Sequence, residues 1–443
     1  MKRSTVTGAL LVVLGLLASP GSVAAQQPAT VSQPGNPTGQ TTGDASQPPP
    51  GIDDTITAGE ADDEEPARRL VRFNEYAGRI GSIRVGFNFM YEYAAFSQDA
   101  NSVEQVDDLD PDSKLRDFRV LFGGRLNFKR PTTWSTGIMY DAANDEWVAR
   151  QTGFMVDVPE IWGQIFVGRT KEGFSMNKVM VGTAGWGMER APISDATIPI
   201  LADGVKWLGY RPKQRILWNL GFYGDALSEG QGFSTYSNQL SGRFAWLPVR
   251  SEDGETLLHV GVSGRYGKPD DGVLRLRARS GAYPGPYFMD TGEFAANSTT
   301  MTGLEIYYRP GRFTFGSEYF MQSVDAPDSG NPFFHGGEVF MAWVITGETR
   351  SYNTRGGYFN AVSPASSIYS GGRGAWEAVS GFTYTDLDDG TLSGGKYWRF
   401  TETLNWHLSD NARLEFAYGY GSLDRFGLVG KTHFFQTRFQ FLL

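Results

Sequence analysis

The last nine residues of the chain, FQTRFQFLL (435–443), alternate between apolar and polar side chains almost without interruption. Successive side chains of a β-strand point to opposite faces, so Phe435, Phe439 and Phe441 share one face and Arg438 lies on the other. A strand that crosses an outer membrane meets lipid on one face and water on the other. This ending therefore predicts an all-β fold, a transmembrane antiparallel β-barrel.

The same alternation recurs along the chain from residue 80 onward. In the segment 80–96, Val85 and Phe87 alternate with Arg84 and Asn88. Tight connections separate many of these segments, and longer ones separate the others. The long connections are residues 97–114, 171–201, 225–236, 267–298 and 324–335. Alternating long and short connections are typical of extracellular loops and periplasmic turns, and they predict an up-and-down barrel of about 16 strands with 272–280 in a loop.

The N-terminal part of the chain has a different composition. Residues 1–25 are predicted to be a signal peptide, because a basic start precedes a short apolar run that ends at Val23-Ala24-Ala25. Residues 26–69 are rich in Pro, Gln and acidic residues, which predicts a disordered periplasmic arm, and a contact with peptidoglycan or a partner is the alternative. Residues 70–443 are then the barrel.

Most of the net negative charge of the mature chain belongs to residues 26–66 of this arm. Residues 26–66 hold eight acidic side chains and no basic one, whereas the rest of the mature chain is nearly neutral. The chain has no cysteine, which excludes disulfides and thiolate chemistry. The net charge therefore says little about the solutes that enter a pore, and nothing in the composition suggests a nucleic-acid partner.

Two connections are predicted to fold into the barrel. The loop 171–201 carries apolar residues such as Met176 and Val181, which would be unfavourable in water. The turn 348–372 is too long for a routine periplasmic turn. Segments of this kind narrow a barrel.

Arginine is the residue type that favours the handling of anions. The mature chain has 29 Arg and 9 Lys, and guanidinium binds oxyanions through paired donors. Arg275, Arg277 and Arg279 are spaced by two, so they would share one face of an extended segment and form a ladder. A solvated loop arm, or a contact with lipopolysaccharide phosphates, is the alternative. The alternation also predicts a group of arginines that face the lumen, namely Arg84, Arg119, Arg125, Arg215, Arg243 and Arg265.

The sequence offers little support for an enzyme. His259 and Ser263 share a strand face but lie four residues apart, about 13 Å, which is too far for a hydrogen bond. The chain contains no HExxH motif and no P-loop. We therefore expect no catalytic residues, no bound metal and no cofactor.

Several short segments resemble the phosphate-selective porin O/P family. They are Gly168-Arg169-Thr170-Lys171-Glu172-Gly173-Phe174-Ser175, Met188-Glu189-Arg190, Gly316-Ser317-Glu318-Tyr319, Trp343-Val344-Ile345-Thr346-Gly347-Glu348, Gly374-Ala375-Trp376-Glu377, Tyr384-Thr385-Asp386-Leu387 and Leu404-Asn405-Trp406. Their order and separations cover nearly the whole barrel. The resemblance implies a sixteen-stranded, trimeric outer-membrane channel that its third and fifth loops and an infolded late turn constrict. These segments match residues 171–201, 267–298 and 348–372, so the resemblance implies that 267–298 also folds into the barrel. The resemblance also places Lys171 and Arg190 on the anion path.

The chain departs from the family pattern at two places. Family members often carry Leu-Arg-Arg-x-Arg at the start of the second strand, where this chain has Asp117 two residues before Arg119. A Ser-Ser pair of the constricting loop falls on Val181 and Gly182, which have no hydroxyl groups. The resemblance therefore implies a channel, and selectivity for phosphate stays one of several hypotheses.

Three functions follow as hypotheses. The first is a porin that passes small hydrophilic solutes and ions with a weak to moderate preference for anions. The second is a channel selective for phosphate or polyphosphate, and the third is a structural or adhesive surface barrel with a plugged lumen. The expected partners are outer-membrane lipids and lipopolysaccharide, small anionic or neutral solutes, and two further copies in a homotrimer.

Overall fold

The computed structural model describes residues 75–142, 145–224 and 236–443. The predicted signal peptide and the predicted acidic arm lie outside these residues. In the described part of the chain, no helix is both long and apolar enough to cross a membrane.

One sheet of seventeen strands dominates the described residues. Its strands are β1 (Glu75–Ala77), β2 (Ser82–Gln98), β3 (Asp112–Leu126), β4 (Thr132–Asp141), β5 (Glu146–Val158), β6 (Gly163–Thr170), β7 (Ala202–Arg211), β8 (Ile216–Gly224), β9 (Tyr236–Arg250), β10 (Thr256–Pro269), β15 (Ser298–Pro310), β16 (Phe313–Asp325), β17 (Phe333–Val344), β20 (Ala375–Asp389), β21 (Leu392–His407), β22 (Ala412–Arg425) and β23 (Leu428–Leu442). The short strand β1 only forms a hairpin with β2. The other sixteen each pair antiparallel with the next, and β23 pairs with β2, which closes the barrel.

Smaller elements lie in the connections. Three pairs of short strands are β11 (Val273–Leu274) with β14 (Phe294–Ala295), β12 (Arg277–Arg279) with β13 (Tyr287–Asp290), and β18 (Tyr352–Asn353) with β19 (Tyr358–Phe359). The α-helices are α1 (Ala100–Val106), α2 (Met176–Val179) and α3 (Pro192–Thr197). Single 3-10 turns lie at Pro159–Ile161, Gly182–Ala184, Pro212–Gln214, Asp270–Gly272, Pro327–Ser329 and Ile368–Ser370.

The two ends of the barrel differ in their connections. One end, the short-turn end, carries tight turns such as 159–162 and 311–312, together with the N-terminal hairpin. The other, the long-loop end, carries 171–201 and 270–297. The predicted sixteen strands and the predicted alternation are confirmed, although the connection 345–374 is a long segment at the short-turn end.

The alternation separates an apolar outer face from a polar inner face. On β2, Val85 and Tyr93 are exposed outward, whereas Asn88 and Glu92 are buried inside. Outward rings also contact across strands, as Trp376 and Trp406 do with centroids 4.9 Å apart. Such ring pairs contribute about 0.5–1.5 kcal/mol beyond the area they bury.

Strict alternation fails at two side chains, and at one of them, Arg215, this corrects the predicted position. The pairing of β2 with β3 shifts register between Met90 and Tyr91, so Arg116 is an extra residue in a β-bulge. The bulge turns Arg116 inward, although strict alternation from Phe118 places it on the lipid side. Arg215, predicted to face the lumen from β8, instead closes the turn before that strand with a left-handed backbone (φ 56°) and is exposed.

Candidate pore interior

Carboxylates of the barrel wall hold the loop 171–201. Ser175 caps the short helix α2, and its hydroxyl donates to Glu318 Oε2 of β16 at 2.5 Å. The backbone N–H of Asn177 donates to Glu318 Oε1 at 3.0 Å, and that of Met176 donates to Glu305 Oε2 at 2.8 Å. Glu305 and Glu318 are inward residues of the wall, so this loop lies against the inside of the barrel.

Arg350 joins three parts of the molecule at one point. Its guanidinium forms two bonds of 2.7 Å to the carboxylate of Glu377 on β20. It also donates to the Ala184 carbonyl at 2.7 Å and lies 4.1 Å from the ring centroid of Trp186. Arg350 is 1% exposed, so its charge is compensated almost entirely by these contacts. We call this group of Arg350, Glu377 and Trp186 the clasp.

Apolar contacts accompany the clasp. Trp186 of the loop packs against Phe340 of the wall and Phe359 of the turn 345–374, with ring centroids 4.8 and 5.5 Å away. The loop residues Met176 and Val181, whose apolar character suggested an interior position, are buried in the same cluster. The segments 171–201 and 345–374 therefore form one packed unit with the wall.

Many of the predicted anion-path residues are buried in ion pairs with the wall or with these segments. Arg119 binds Asp117, with Nε and Oδ1 3.0 Å apart. Arg243 binds Glu305 at 2.8 Å, and Arg265 binds Glu172 at 3.0 Å.

The remaining luminal candidates serve the infolded segments or lie near the barrel ends. Lys171 and Arg190 donate to backbone carbonyls of their own loop, including that of Met180. Arg84 is buried on β2, and Arg125 is half-buried close to the short-turn end.

The three ladder arginines lie on one face, as their spacing predicts. They alternate with Leu274, Leu276 and Ala278, which are all buried. Arg275 forms an ion pair with Asp290 at 2.6 Å. This contact raises the pKa of Arg275 through the hydrogen bond that the Asp290 carboxylate accepts.

Two tyrosines continue the ladder inward. The guanidinium carbons of Arg277 and Arg279 each lie 4.3 Å from the ring centroid of Tyr287. Arg279 is also 5.1 Å from the centroid of Tyr283, and Arg116 is 4.4 Å from the same ring. Guanidinium groups and rings thus form a continuous row from the loop 270–297 to the wall. We call these five residues the Arg–Tyr row.

Arg116, at the wall end of the row, also belongs to a network of alternating charges that the sequence did not reveal. Arg116 and Arg438 both bind Glu189, with nitrogen–oxygen distances of 3.0 and 2.7 Å, and Arg438 also binds Glu92. Burial acts to raise the pKa of Glu189, but Arg116 and Arg438 together lower it to about 2. A charged residue at a lipid-facing position, as Arg116 is under strict alternation, was the signal that could have revealed the bulge.

Burial shifts two further groups of the loop 171–201. It raises the pKa of Glu172 above the ordinary value, although Arg265 acts in the opposite direction. It lowers the pKa of Lys178, although Asp195, 2.9 Å away, opposes that effect. These side chains therefore interact mainly with protein and much less with solvent.

Comparison with known proteins places the chain in a family. The sequence pattern described as "Phosphate-selective porin O and P" matches residues 83–443. Porin O of Pseudomonas aeruginosa is 24% identical over 203 residues, which are 38% of this chain and 44% of Porin O. An uncharacterized protein of Caulobacter vibrioides is 29% identical over 257 residues, 55% of this chain and 51% of that protein. The chain thus matches about half the length of these curated relatives.

Solved structures share the fold at low identity. The anion-selective porin from Comamonas acidovorans superposes with a TM-score of 0.52 and 11% identity, over 82% of this chain and 100% of that one. OprB of Pseudomonas putida superposes with a TM-score of 0.52 and 9% identity, over 82% of this chain and 94% of its own. The chain is therefore an outer-membrane β-barrel that belongs to the phosphate-selective porin O and P family.

Proposed function

We propose that the protein is a passive channel for small hydrophilic solutes and ions, with a weak to moderate preference for anions. The observation that supports the proposal is the Arg–Tyr row, which runs from the loop 270–297 at the long-loop end to the barrel wall. The guanidinium of Arg277 lies over the Tyr287 ring and is exposed, which leaves its N–H edge available for oxyanions, and no covalent step is needed. The segments 171–201, 270–297 and 345–374 narrow the lumen.

The experiment is a comparison of reversal potentials in planar bilayers under a salt gradient. We expect R275Q/R277Q/R279Q to lower the anion-to-cation permeability ratio about twofold to fivefold, because three positive charges leave the path. Arg312→Gln, a change of an exposed residue in a short turn, is the control. If the wild type and the triple variant had equal anion-to-cation permeability ratios, the row would not contribute to the anion path.

Selection of phosphate is the less favoured function. Lys178 is buried beside Asp195, and Val181 and Gly182 supply no side-chain hydroxyl to an oxyanion. A charge that loses water without gaining donors is unfavourable. We expect millimolar phosphate to leave chloride current nearly unchanged; a block at micromolar phosphate would favour the phosphate channel instead.

A conductance measurement alone distinguishes a plugged surface barrel from the two channel hypotheses. The ion pairs that fasten the infolded segments are compatible with a narrow pore and with a closed one. Discrete conductance steps after insertion would support a channel. Their absence from correctly folded protein would favour the adhesive or structural hypothesis.

We further propose that three copies associate in the membrane. Glu402 is exposed on the outer face of β21 between Phe400 and Leu404, and its carboxylate accepts a hydrogen bond of 2.7 Å from Ser380. A carboxylate in hydrocarbon is unfavourable, so a protein neighbour would cover it better than lipid. Glu402→Leu should then lower the temperature at which the trimer dissociates in detergent, whereas Leu240→Ala on β9 should not. A monomeric wild type would contradict this assignment.

A further inference from the structure

A group of exposed cations lies at the short-turn end, outside the proposed anion path. Arg211, Lys213 and Arg215 fall within five residues around the turn from β7 to β8, and all three are exposed. Pro212 starts the 3-10 turn, and the N–H of Arg215 closes it on the Pro212 carbonyl at 3.0 Å. In the described part of the chain, none of these three cations forms an ion pair. Their charges are therefore available to attract negatively charged groups at this end of the barrel.

Neighbouring turns extend this positive surface. Arg79, Lys129 and Arg130 are exposed at the same end, and the acids of these turns are Asp157 and Glu160. The adjoining turn 251–255 adds three exposed acids beside half-buried Arg250, namely Glu252, Asp253 and Glu255. Arg130 binds Glu160 through two bonds of 2.7 and 2.8 Å. We call the six cations the basic rim: Arg79, Lys129, Arg130, Arg211, Lys213 and Arg215. Counted with Arg250, seven cations then face five acids, so these turns keep a small excess of positive charge.

The chain itself supplies a segment of opposite charge. Residues 53–65 contain seven acidic side chains and no basic one, and 48–74 remains net negative even with Arg68, Arg69 and Arg72. This segment precedes β1, and β1 lies at the short-turn end beside β2. Glu75, at which the described part of the chain begins, therefore lies at the same end of the barrel as the rim.

The chain is also long enough to bring them together. Ten residues separate Glu65 from Glu75, a reach of about 33 Å when extended. From β2 to β7 there are five strand spacings, about 24 Å at the usual separation of roughly 4.8 Å. A tethered segment of this length has a high local concentration at the rim.

We propose that the acidic segment 53–65 docks on the basic rim of its own barrel and neutralises this mouth of the channel. Opposite charges a few ångströms apart attract at low salt, and added salt screens them. The docking depends on topology and charge alone. Its effect on permeation rests on the proposed channel function.

The direct test is carbodiimide cross-linking of the full-length mature protein, which joins an amine to a carboxylate in contact. At 50 mM salt we expect links from Lys213 or Lys129 to carboxylates of 53–65, in a product that keeps the mass of one chain on a denaturing gel. The links should disappear at 1 M salt, where the Debye length is about 3 Å. Lys431, exposed at the long-loop end, is the control amine and should give no such link.

Three results would overturn the proposal. They are no link from the rim at low salt, equal links from Lys431, and loss of the link in vesicles that contain anionic phospholipid. The last result would assign the rim to lipid phosphates. R211Q/R215Q keeps Lys213 as the reporter amine and should reduce its link yield severalfold.

Permeability measurements test separately whether the docked segment neutralises the mouth of the channel. D62N/D63N/E64Q/E65Q should raise the anion-to-cation permeability ratio about 1.5-fold at 0.1 M salt and leave it unchanged at 1 M. A protein without any anion preference would contradict the proposed function while leaving the cross-links intact. Cross-links without this shift would show docking that does not control permeation, and would overturn the neutralisation of the mouth.

Discussion

At the scale of single residues, the buried arginines of the lumen act mainly as cross-links. Arg350, Arg243 and Arg265 each bind a carboxylate and also at least one backbone carbonyl of an infolded segment. Burying both charges is costly, so such pairs do little for stability in comparison with an apolar contact, but removing one partner leaves the other uncompensated. Their role is to fix which segment lies against which part of the wall.

The clasp provides the sharpest test at this scale. Arg350→Ala should lower the free energy of unfolding by about 3–5 kcal/mol, because Glu377 remains buried without its cation. The turn 345–374 should also separate from the wall and enlarge the conductance. Heat unfolding in detergent and single-channel currents measure these two effects.

The double variant R350M/E377M is the matched control for the clasp. It removes both charges together, so it should recover much of the stability lost in Arg350→Ala. Arg373→Ala, an exposed change near the same turn, should cost little. If Arg350→Ala and Arg373→Ala lowered the stability by the same small amount, the clasp would not hold the turn.

Glu189 predicts a dependence on pH. Its pKa in the folded protein is about 2, below the ordinary value of 4.5, so the folded state favours the charged form. The stability that it contributes is therefore present above pH 4.5 and is lost as the pH falls toward 2. Glu189→Gln should cost about 1–3 kcal/mol at pH 7, because Arg116 and Arg438 lose an ionised acceptor.

Unfolding temperatures between pH 7 and pH 2.5 measure this dependence. The wild type should lose stability more steeply than Glu189→Gln over the acidic part of the range. Parallel curves for the two proteins would exclude Glu189 as a source of the acid sensitivity.

At the scale of elements, the loop 270–297 depends on a close approach to the wall. Gly281 has φ 110°, and a Cβ there would overlap the guanidinium of Arg399. Gly292 of the same loop has φ 70° but no neighbouring atom within 4 Å. Gly292→Ala should cost about 1 kcal/mol from the backbone alone. Gly281→Ala should cost about 1–3 kcal/mol more, because the buried guanidinium of Arg399 must move and give up its hydrogen bond to the Ser280 carbonyl.

The two glycine variants are matched controls for each other. Unfolding temperatures give the difference in stability, and reversal potentials show whether displacement of the loop disturbs the Arg–Tyr row. If Gly281→Ala and Gly292→Ala lowered the stability equally, the loop would not pack against Arg399.

Strand alternation explains how far the elements could be predicted from sequence. It holds wherever the strand ladder is regular, as on β2, where Val85 and Asn88 take their predicted faces. It fails at Arg116, where a bulge adds one residue to β3. It also fails at Arg215, because the turn before β8 ends one residue later than the pattern suggests.

At the scale of the whole molecule, the class and strand number follow from the sequence, whereas the pairing of side chains inside the barrel does not. Sixteen alternating segments with mostly alternating connections were sufficient for the barrel. The contact between Glu189 and Arg438 joins residues 249 positions apart, and no local periodicity reports such a pair. The family segments around Glu189, Glu318 and Glu377 contain residues that fasten the infolded segments to the wall.

The most direct measurement is the current through single wild-type molecules in a planar bilayer under a tenfold gradient of potassium chloride. We predict discrete conductance steps and a reversal potential whose sign reports chloride as the more permeant ion, because Arg277 and Arg279 of the Arg–Tyr row form no ion pair in the described part of the chain and supply positive charge along the path. A folded, inserted barrel that carries no current, or one whose reversal potential has the sign of potassium, would contradict the account.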